Sequence, residues 1–189
     1  MTALWTSTDV IAATGGISHG SWTASGVCID SRTVKKGDLF IALKGPNFDG
    51  HQFAIDALNK GAAAALIQDP LKDSDSYHDR LVMVKDTFAA LQDLGKAARV
   101  RTKARIVAVT GSVGKTGTKE ALKLSLAAQG ATHASQGNLN NHWGVPLSLS
   151  RMPTETKFGV FELGMNHAGE IAPLSKLVRP HVALSLIHI

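Results

Sequence analysis

The sequence has a single cysteine and lacks any long apolar run, and these two shortages restrict what the protein can be. Because Cys28 is the only cysteine among 189 residues, neither a disulfide framework nor a zinc site made of cysteines is available. The longest apolar runs, such as residues 62–67, are far too short to span a bilayer. The N-terminus also lacks the basic segment and long apolar core of a signal peptide. We therefore expect a cytoplasmic protein that does not insert into a membrane.

Long blocks of charge of one sign are also missing. The formal net charge is +5 and the pI is about 9.5, yet no run of Lys and Arg is longer than Lys35-Lys36. This balance suits an anionic ligand but does not indicate nucleic acid. A hydrophobic content of 44% and a charged content of 19% are typical of a globular chain. The length is sufficient for one large domain or two small ones.

The most informative stretch is RIVAVTGSVGKTGTKE, residues 105–120. Its apolar, β-branched part, 106–110, predicts a buried strand, and a glycine-containing loop then leads into a helix. Such a loop binds phosphate through its amides and the helix N-terminus, while Lys115 adds a full positive charge and Thr116 a hydroxyl for Mg²⁺. The strict phosphate-loop pattern requires glycine where Val109 stands, so only a shorter form matches. An ordinary strand-to-helix turn is the alternative.

Short strand patterns alternate with helical patterns, which predicts an α/β fold with mostly parallel sheets and flanking helices. We place a domain boundary near Lys85, where short strands give way to longer strand-helix units, and so predict domains 1–84 and 85–189. Ligands of such sheets bind at the carboxyl ends of the strands. The predicted strands include 27–30, 39–43, 63–67, 81–84, 106–110 and 158–163, and the predicted helices include 7–13, 52–60, 87–100 and 171–178.

Two polar segments follow predicted strands and are candidates for chemistry. Glu162 ends the strand 158–163, and we expect it to bind a metal ion; an ordinary strand-end carboxylate is the alternative. His167 lies in the loop after this strand, where hydrogen bonding to the loop backbone is an equal alternative. The other segment is GNLNN, residues 137–141, whose three asparagines exceed what a turn requires.

The pattern also predicts which side chains are buried and which are exposed. In the helix after the phosphate loop, one face is apolar enough to pack against the sheet, and its residues are Ala121, Leu122, Leu124, Ser125 and Ala128. Several histidines carry no motif and are expected at the surface: His19, His78, His133 and His181.

Six stretches, taken together and in this order, resemble the Mur ligase family of ATP-dependent amide ligases. The stretches are Asp30-Ser31-Arg32, GDLFIALKGPNFDGHQF from Gly37, VKDT from Val84, TGSVGKT from Thr110, GNLNNHWGVP from Gly137 and FELGMNHAGEI from Phe161. The resemblance covers almost the whole chain. The GNLNN and GVP elements favour the branch that adds D-alanyl-D-alanine to UDP-N-acetylmuramoyl-tripeptide in peptidoglycan synthesis.

The resemblance implies an architecture and a reaction. A small N-terminal domain that binds the UDP-sugar is expected at 1–84, followed at 85–189 by the first part of a central ATP-binding domain. The family uses ATP to phosphorylate a carboxylate, and the incoming amine then displaces the phosphate. The implied cofactors are ATP and Mg²⁺, and the implied substrates are UDP-N-acetylmuramoyl-tripeptide and D-Ala-D-Ala. A cytoplasmic monomer that binds no nucleic acid is expected.

The resemblance also assigns roles to individual residues. Lys115, Glu162 and His167 are expected to be catalytic, and Thr116 and Glu162 are expected to hold Mg²⁺. The ATP phosphates are expected to contact Gly111, Ser112, Val113, Gly114, Lys115, Thr116 and Gly117. The UDP-sugar peptide is expected to face Ser31, Arg32, Lys44, Asp49, His51, Asn138, Asn140 and Asn141. For His51, a structural role is an equal alternative.

The sequence departs from the family pattern at two places. Gly117 stands where a hydroxyl residue is expected, which weakens the start of the helix by up to ~1 kcal/mol relative to alanine. The chain also ends where the family continues with a metal-binding histidine, a modified lysine, the adenine site and a C-terminal domain. His188 lies near the position of that histidine, but its neighbours do not match. We therefore expect this chain to be an incomplete part of the ligase, or a sequence whose last few residues are foreign, and to be inactive by itself.

Two other functions fit the same residues. The chain could be a non-catalytic module that binds a UDP-sugar, or an unrelated P-loop NTPase. Selective binding of UDP-N-acetylmuramoyl peptides over simple nucleotides would exclude the NTPase. Phosphate release that requires both the tripeptide and D-Ala-D-Ala would exclude the module. The sequence leaves the diamino acid of the tripeptide open.

Overall fold

A computed structural model describes residues 3–45, 47–72 and 74–187, and it confirms the α/β fold. His188 lies outside the described residues. Within the described ranges, no helix is both long and apolar enough to cross a membrane. The strands are β1 (Trp5–Thr6), β2 (Thr23–Ala24), β3 (Gly26–Cys28), β4 (Asp38–Ile41), β5 (Lys44–Gly45), β6 (Phe48–Asp49), β7 (Ala64–Ile67), β8 (Leu81–Met83), β9 (Arg105–Thr110), β10 (Thr132–Ala134), β11 (Phe158–Glu162) and β12 (Val182–Ser185). The helices are α1 (Ser7–Thr14), α2 (Ala54–Asn59), α3 (Thr87–Arg101), α4 (Lys115–Ala127), α5 (Gly144–Ser150) and α6 (Ile171–Val178), with 3₁₀ turns at Gly50–Phe53 and Asp75–Arg80.

The chain forms two compact units, residues 1–94 and 95–189. The units divide inside α3, whereas the predicted boundary near Lys85 falls just before that helix. The predicted domains stay a prediction.

The first unit is built on a parallel four-stranded sheet in the order β3-β4-β7-β8. Every residue of the two central strands, β4 and β7, is buried, as expected of parallel strands covered on both faces. Helix α2 contributes Ala54, Ala57 and Leu58 to the core that contains Phe40 and Ile67. Two short antiparallel pairs, β1 with β2 and β5 with β6, complete the described strands of this unit.

The second unit has a four-stranded sheet in the order β10-β11-β9-β12, and all three strand pairs are parallel. Glu162 pairs with Val109 and Ser185 pairs with Thr110, so three strands end at one edge of the sheet. The loops after β9, β10 and β11 therefore emerge at the same edge. A core of buried apolar residues that includes Ile106, Leu149 and Phe161 lies beneath them.

The predicted inward face of α4 is wrong except at Leu122, which is half-buried. Leu124 is 73% exposed, and Ala121, Ser125 and Ala128 are also exposed. The face that turns inward is instead formed by residues at helical spacing that are buried or half-buried: Lys115, Thr118, Lys119, Leu122 and Leu126. On this inner side, Lys119 Nζ donates to the carbonyl oxygen of Gly137 at 2.7 Å.

The predicted surface position of His133 is also wrong. The residue lies in β10, where its ring is half-buried and 5.9 Å from the ring of Phe161. Its Nε2 lies 2.8 Å from the carbonyl oxygen of Ser148, to which the neutral ring donates. Burial disfavours the charged ring and lowers the pKa of His133 from 6.5 to about 4.

This burial predicts a pH dependence of stability. Between pH 6.5 and about 4 the unfolded chain binds a proton at His133 that the folded chain does not, so the free energy of unfolding falls as the pH falls through this window. The loss is up to about 3 kcal/mol. Urea unfolding at a series of pH values should show a weaker fall for His133→Gln than for the unaltered protein. The exposed His78→Gln is the control, and equal pH profiles for the two variants would contradict the prediction.

Candidate functional site

The loop after β9 depends on two glycines for its shape. Gly111 has φ +146° and Gly114 has φ +80°, conformations that favour glycine. A Cβ at Gly111 would lie 2.7 Å from the Cβ of Leu186, so there is also no space for a side chain. Gly114 precedes the first residue of α4 and has no side chain to cap the helix amides. These amides are therefore available to an anion at the positive end of the helix.

Lys115 folds back over the loop. Its Nζ donates hydrogen bonds to the carbonyl oxygens of Gly111, at 2.6 Å, and Ser112, at 3.3 Å. Val113 at the tip of the loop is 81% exposed, which leaves this side of the loop open. The loop thus combines a lysine ammonium with uncapped helix amides, the combination that binds phosphate groups.

Glu162, at the end of β11, is the centre of a buried polar cluster. The residue is 1% exposed, and its two carboxylate oxygens accept hydrogen bonds from two different segments, helix α4 and the loop after β10. Thr116 Oγ1 donates to Oε2 at 3.0 Å, and Asn140 Nδ2 donates to Oε1 at 2.8 Å. The ammonium of Lys119 lies 3.9 Å from Oε2. The predicted metal-binding pair therefore lies together, although the two residues are 46 positions apart.

The spacing of this pair fits magnesium. Mg²⁺ prefers octahedral oxygen ligands at about 2.1 Å, and two adjacent ligands of such an octahedron are roughly 3.0 Å apart. Thr116 Oγ1 and Glu162 Oε2 have this separation. The described part of the chain contains no group of three or more His, Cys, Asp or Glu residues that could enclose a metal ion. A magnesium ion at this pair would therefore complete its shell with phosphate oxygens and water, as it commonly does.

The three asparagines of residues 137–141 have different positions. Asn140 is fixed, because its side chain binds Glu162 and its carbonyl oxygen accepts from the amide of Gly164 at 2.8 Å. Asn141 Oδ1 accepts from the amides of Trp143 and Gly144, so it caps the start of α5. Asn138 is exposed. Of the three side chains, only that of Asn140 reaches the Glu162 cluster among the described contacts.

His167 lies in the exposed loop after β11. Its backbone N–H donates to Glu170 Oε2 at 3.3 Å, and the amide of Asn166 donates to the same oxygen at 2.7 Å. These amide hydrogen bonds lower the pKa of Glu170. The described contacts include no hydrogen bond from the His167 ring to Glu162 or Thr116, so its predicted catalytic role stays a prediction.

The predicted sugar-binding residues belong to the first unit, and two of them follow β3. Arg32 donates to Asp30 through Nε at 2.9 Å and Nη2 at 2.7 Å. These hydrogen bonds lower the pKa of Asp30 to about 2. The Arg32 side chain is 85% exposed, so an anionic ligand can reach its guanidinium. Ser31 is buried, and its carbonyl oxygen accepts from Lys60 Nζ at 3.0 Å.

The other sugar-binding candidates lie on and after the β5–β6 pair, where Lys44 is opposite Asp49. The Lys44 ammonium forms an ion pair with Asp69 at 2.8 Å. His51 is buried, and both of its ring nitrogens have protein partners. Its Nδ1 donates to Asp49 at 2.6 Å, and its Nε2 accepts from the amide of Gln68 at 3.0 Å. This arrangement favours the structural interpretation of His51 over contact with a substrate.

Lys119 is a site residue that the sequence patterns missed. It is fully buried and contacts both the Glu162 carboxylate and residues 137–141, with Nζ 2.7 Å from the carbonyl oxygen of Gly137. The spacing of Lys119 from the phosphate-loop residues could have indicated its position. Lys119 lies four residues after Lys115 and three after Thr116, so all three side chains share one face of α4.

Comparison with known proteins gives a consistent assignment. Residues 23–109 match the family model described as "Mur ligase family, catalytic domain", and residues 109–186 match "Mur ligase middle domain". The chain belongs to the Mur ligase family. The resemblance inferred from the motifs is confirmed.

Individual relatives agree with this assignment. A UDP-N-acetylmuramoyl-tripeptide–D-alanyl-D-alanine ligase from Rickettsia prowazekii is 42% identical over 181 residues, which are 96% of this chain and 40% of the relative. A MurF crystal structure from Acinetobacter baumannii has a TM-score of 0.81 and 37% identity, over 96% of this chain and 40% of its own. A MurF ligase from Thermotoga maritima in complex with ADP has a TM-score of 0.68 and 33% identity, over 85% of this chain and 37% of its own. The chain thus spans about two fifths of the length of these relatives.

The geometry of the loop predicts opposite effects for two glycine substitutions. Gly117 lies in α4 and a Cβ there would meet nothing within 4 Å, so Gly117→Ala should raise the free energy of unfolding by up to ~1 kcal/mol. Gly114→Ala is the matched control. Alanine is strained at the positive φ of this position, so the substitution should lower the free energy of unfolding by about 1–2 kcal/mol. Urea unfolding of both variants measures these effects. Destabilisation by Gly117→Ala would show that the helix start requires glycine for another reason.

Proposed function

We propose that the full-length protein is an ATP-dependent ligase that joins D-alanyl-D-alanine to UDP-N-acetylmuramoyl-tripeptide in peptidoglycan synthesis. Two lines support this proposal. The relatives that match over most of this chain carry this activity in their names. The single structural observation that carries it is the pair Thr116–Glu162, which lies beside a glycine loop and Lys115 at the carboxyl edge of a parallel sheet. This is the arrangement that phosphoryl transfer from a Mg²⁺–nucleotide requires.

The proposed reaction has two steps. The γ-phosphoryl group of ATP is transferred to the free carboxylate of the tripeptide, and ADP leaves. The amino group of D-Ala-D-Ala then attacks the carbonyl carbon of the acyl phosphate, the C–O bond to phosphate breaks, and the nitrogen loses a proton as the amide forms. ATP supplies the activated phosphoryl group, and Mg²⁺ offsets the charge that builds on its oxygens.

The residues of the chain would bind and orient the reactants. Lys115 and the amides of residues 111–117 would bind the phosphates, with the ammonium exchanging the loop carbonyls for phosphate oxygens. Thr116 and Glu162 would hold Mg²⁺ through their oxygens. The sugar-peptide substrate would contact four residues: Asn138, Asn140, Asn141 and His167. Asn140 would at the same time hold the Glu162 carboxylate in place through its hydrogen bond.

The first unit would bind the UDP-sugar. Arg32 and Lys44 supply exposed cations suited to a diphosphate, and Ser31 and Asp49 supply further polar groups. His51 would hold Asp49 in place rather than contact the ligand. We further infer that the ligase acts in the cytoplasm, since its proposed substrates, ATP and a nucleotide-linked sugar peptide, are cytoplasmic compounds. The expected monomeric state stays a prediction.

Lys115→Ala tests the phosphate loop. In the full-length protein, it should lower kcat by about 10²–10³-fold, which is the scale of losing one preorganised electrostatic stabiliser. Binding of UDP-N-acetylmuramoyl-tripeptide should be unchanged. The control is Lys123→Ala on the same helix, because Lys123 is exposed and pairs only with Glu120 among the described ion pairs. Steady-state assays of ligation decide the matter, and turnover of Lys115→Ala close to that of the control would contradict the assignment.

Glu162→Gln tests the metal site. The substitution preserves the shape of the side chain and removes the charge that a hard cation requires. The magnesium concentration that gives half-maximal ligation should therefore rise by about tenfold or more. The measurement is a magnesium titration of ligation at saturating ATP. An unchanged titration curve would mean that Glu162 has only a structural role.

A further inference from the structure

Lys119 is a fully buried lysine for which the proposed reaction gives no role. Lysine is almost never fully buried unless it is paired. Its ammonium lies 2.7 Å from the carbonyl oxygen of Gly137, 3.3 Å from Glu120 Oε1 and 3.9 Å from Glu162 Oε2. The oxygens of Gly137 and Glu120 lie within hydrogen-bond distance of the ammonium, whereas Glu162 Oε2 is an ion-pair partner that is too distant for a hydrogen bond.

The three acceptors come from different parts of the second unit. Glu120 is the next residue on α4, Gly137 begins the segment 137–141 after β10, and Glu162 ends β11. A buried charge is unfavourable unless its partners stay in place. The hydrogen bond from Lys119 to Gly137 therefore connects residues 137–141 to α4, the helix that starts at the phosphate loop. Asn140, three residues later, reaches Glu162 from this anchored segment.

Lys119 also faces the oxygen that would bind the metal. The same oxygen, Glu162 Oε2, accepts the hydrogen bond from Thr116 and lies 3.9 Å from the Lys119 ammonium. A cation bound at this oxygen would be repelled by the ammonium across a buried, weakly screened distance. Phosphate groups beside the cation would offset this repulsion.

We propose that Lys119 is a positioning residue with two linked effects. It anchors residues 137–141 beside Glu162, and it is the resident counter-ion of the Glu162 carboxylate, so that divalent cations bind there weakly until nucleotide phosphates are present. The second effect rests on the proposed metal role of Glu162. The first effect rests only on the observed contacts of Lys119.

The test compares Lys119→Met with Lys123→Met in the full-length protein. Lys123 lies one turn later on α4, where its side chain is 47% exposed. Hydrogen–deuterium exchange of the amides of residues 137–141 should become about tenfold faster in Lys119→Met and remain unchanged in Lys123→Met. Mn²⁺ binding without nucleotide, followed by electron paramagnetic resonance, should become about tenfold tighter in Lys119→Met only, because the repelling charge is gone. A merely structural role of Lys119 would not tighten metal binding.

Each outcome decides one part of the proposal. If hydrogen exchange in Lys119→Met equals that in Lys123→Met, Lys119 does not anchor residues 137–141. If Mn²⁺ binding in Lys119→Met is unchanged or weaker, Lys119 is not the counter-ion of Glu162. If Glu162→Gln binds Mn²⁺ as tightly as the unaltered protein, the proposed metal site itself is wrong, and the exchange measurement still decides the anchor. If Lys119→Met does not fold, Lys119→Met combined with Glu162→Gln removes both buried charges. That double variant should fold and still show the faster exchange.

Discussion

The second unit depends on one buried charge, the carboxylate of Glu162. A carboxylate that is 1% exposed needs hydrogen bonds and a cation to be tolerated, and it obtains them from Thr116, Asn140 and Lys119. The three partners belong to two pieces of chain: Thr116 and Lys119 to the helix after the phosphate loop, and Asn140 to the segment after β10. The position of one side chain at the end of β11 thus fixes the arrangement of the whole edge of the sheet.

With this arrangement, the proposed metal–nucleotide site would be formed before its ligands arrive. The oxygens of Thr116 and Glu162 are already separated by the distance that adjacent ligands of magnesium adopt, so binding would exchange one hydrogen bond for two metal bonds without moving a backbone. The glycines at 111 and 114 hold the loop in conformations that leave its amides accessible. Preorganisation of this kind is the main contribution that a protein makes to phosphoryl transfer.

The sequence predicted the parts of this site that follow from strand patterns. The apolar runs at β9 and β11 predicted parallel strands, and parallel strands bring the phosphate loop and Glu162 to one edge, where the structure has them. Lys119 and His133 were not predicted, because hydropathy assigns lysine and histidine to the surface. Their burial depends on carbonyl oxygens of Gly137 and Ser148, whose positions only the folded chain reveals. The same limit applies to His51, whose ring nitrogens are both used inside the first unit.

Thr116 and Glu162 are proposed to hold the metal ion that accompanies the nucleotide phosphates. A crystal structure of the full-length protein with Mn²⁺ and a non-hydrolysable ATP analogue, with anomalous scattering used to locate the manganese, tests this proposal directly. We expect an anomalous peak about 2.1 Å from both Thr116 Oγ1 and a carboxylate oxygen of Glu162, with the phosphates on the amides of residues 111–117. A manganese ion bound elsewhere, with the hydrogen bond between Thr116 and Glu162 intact beside the bound nucleotide, would contradict it.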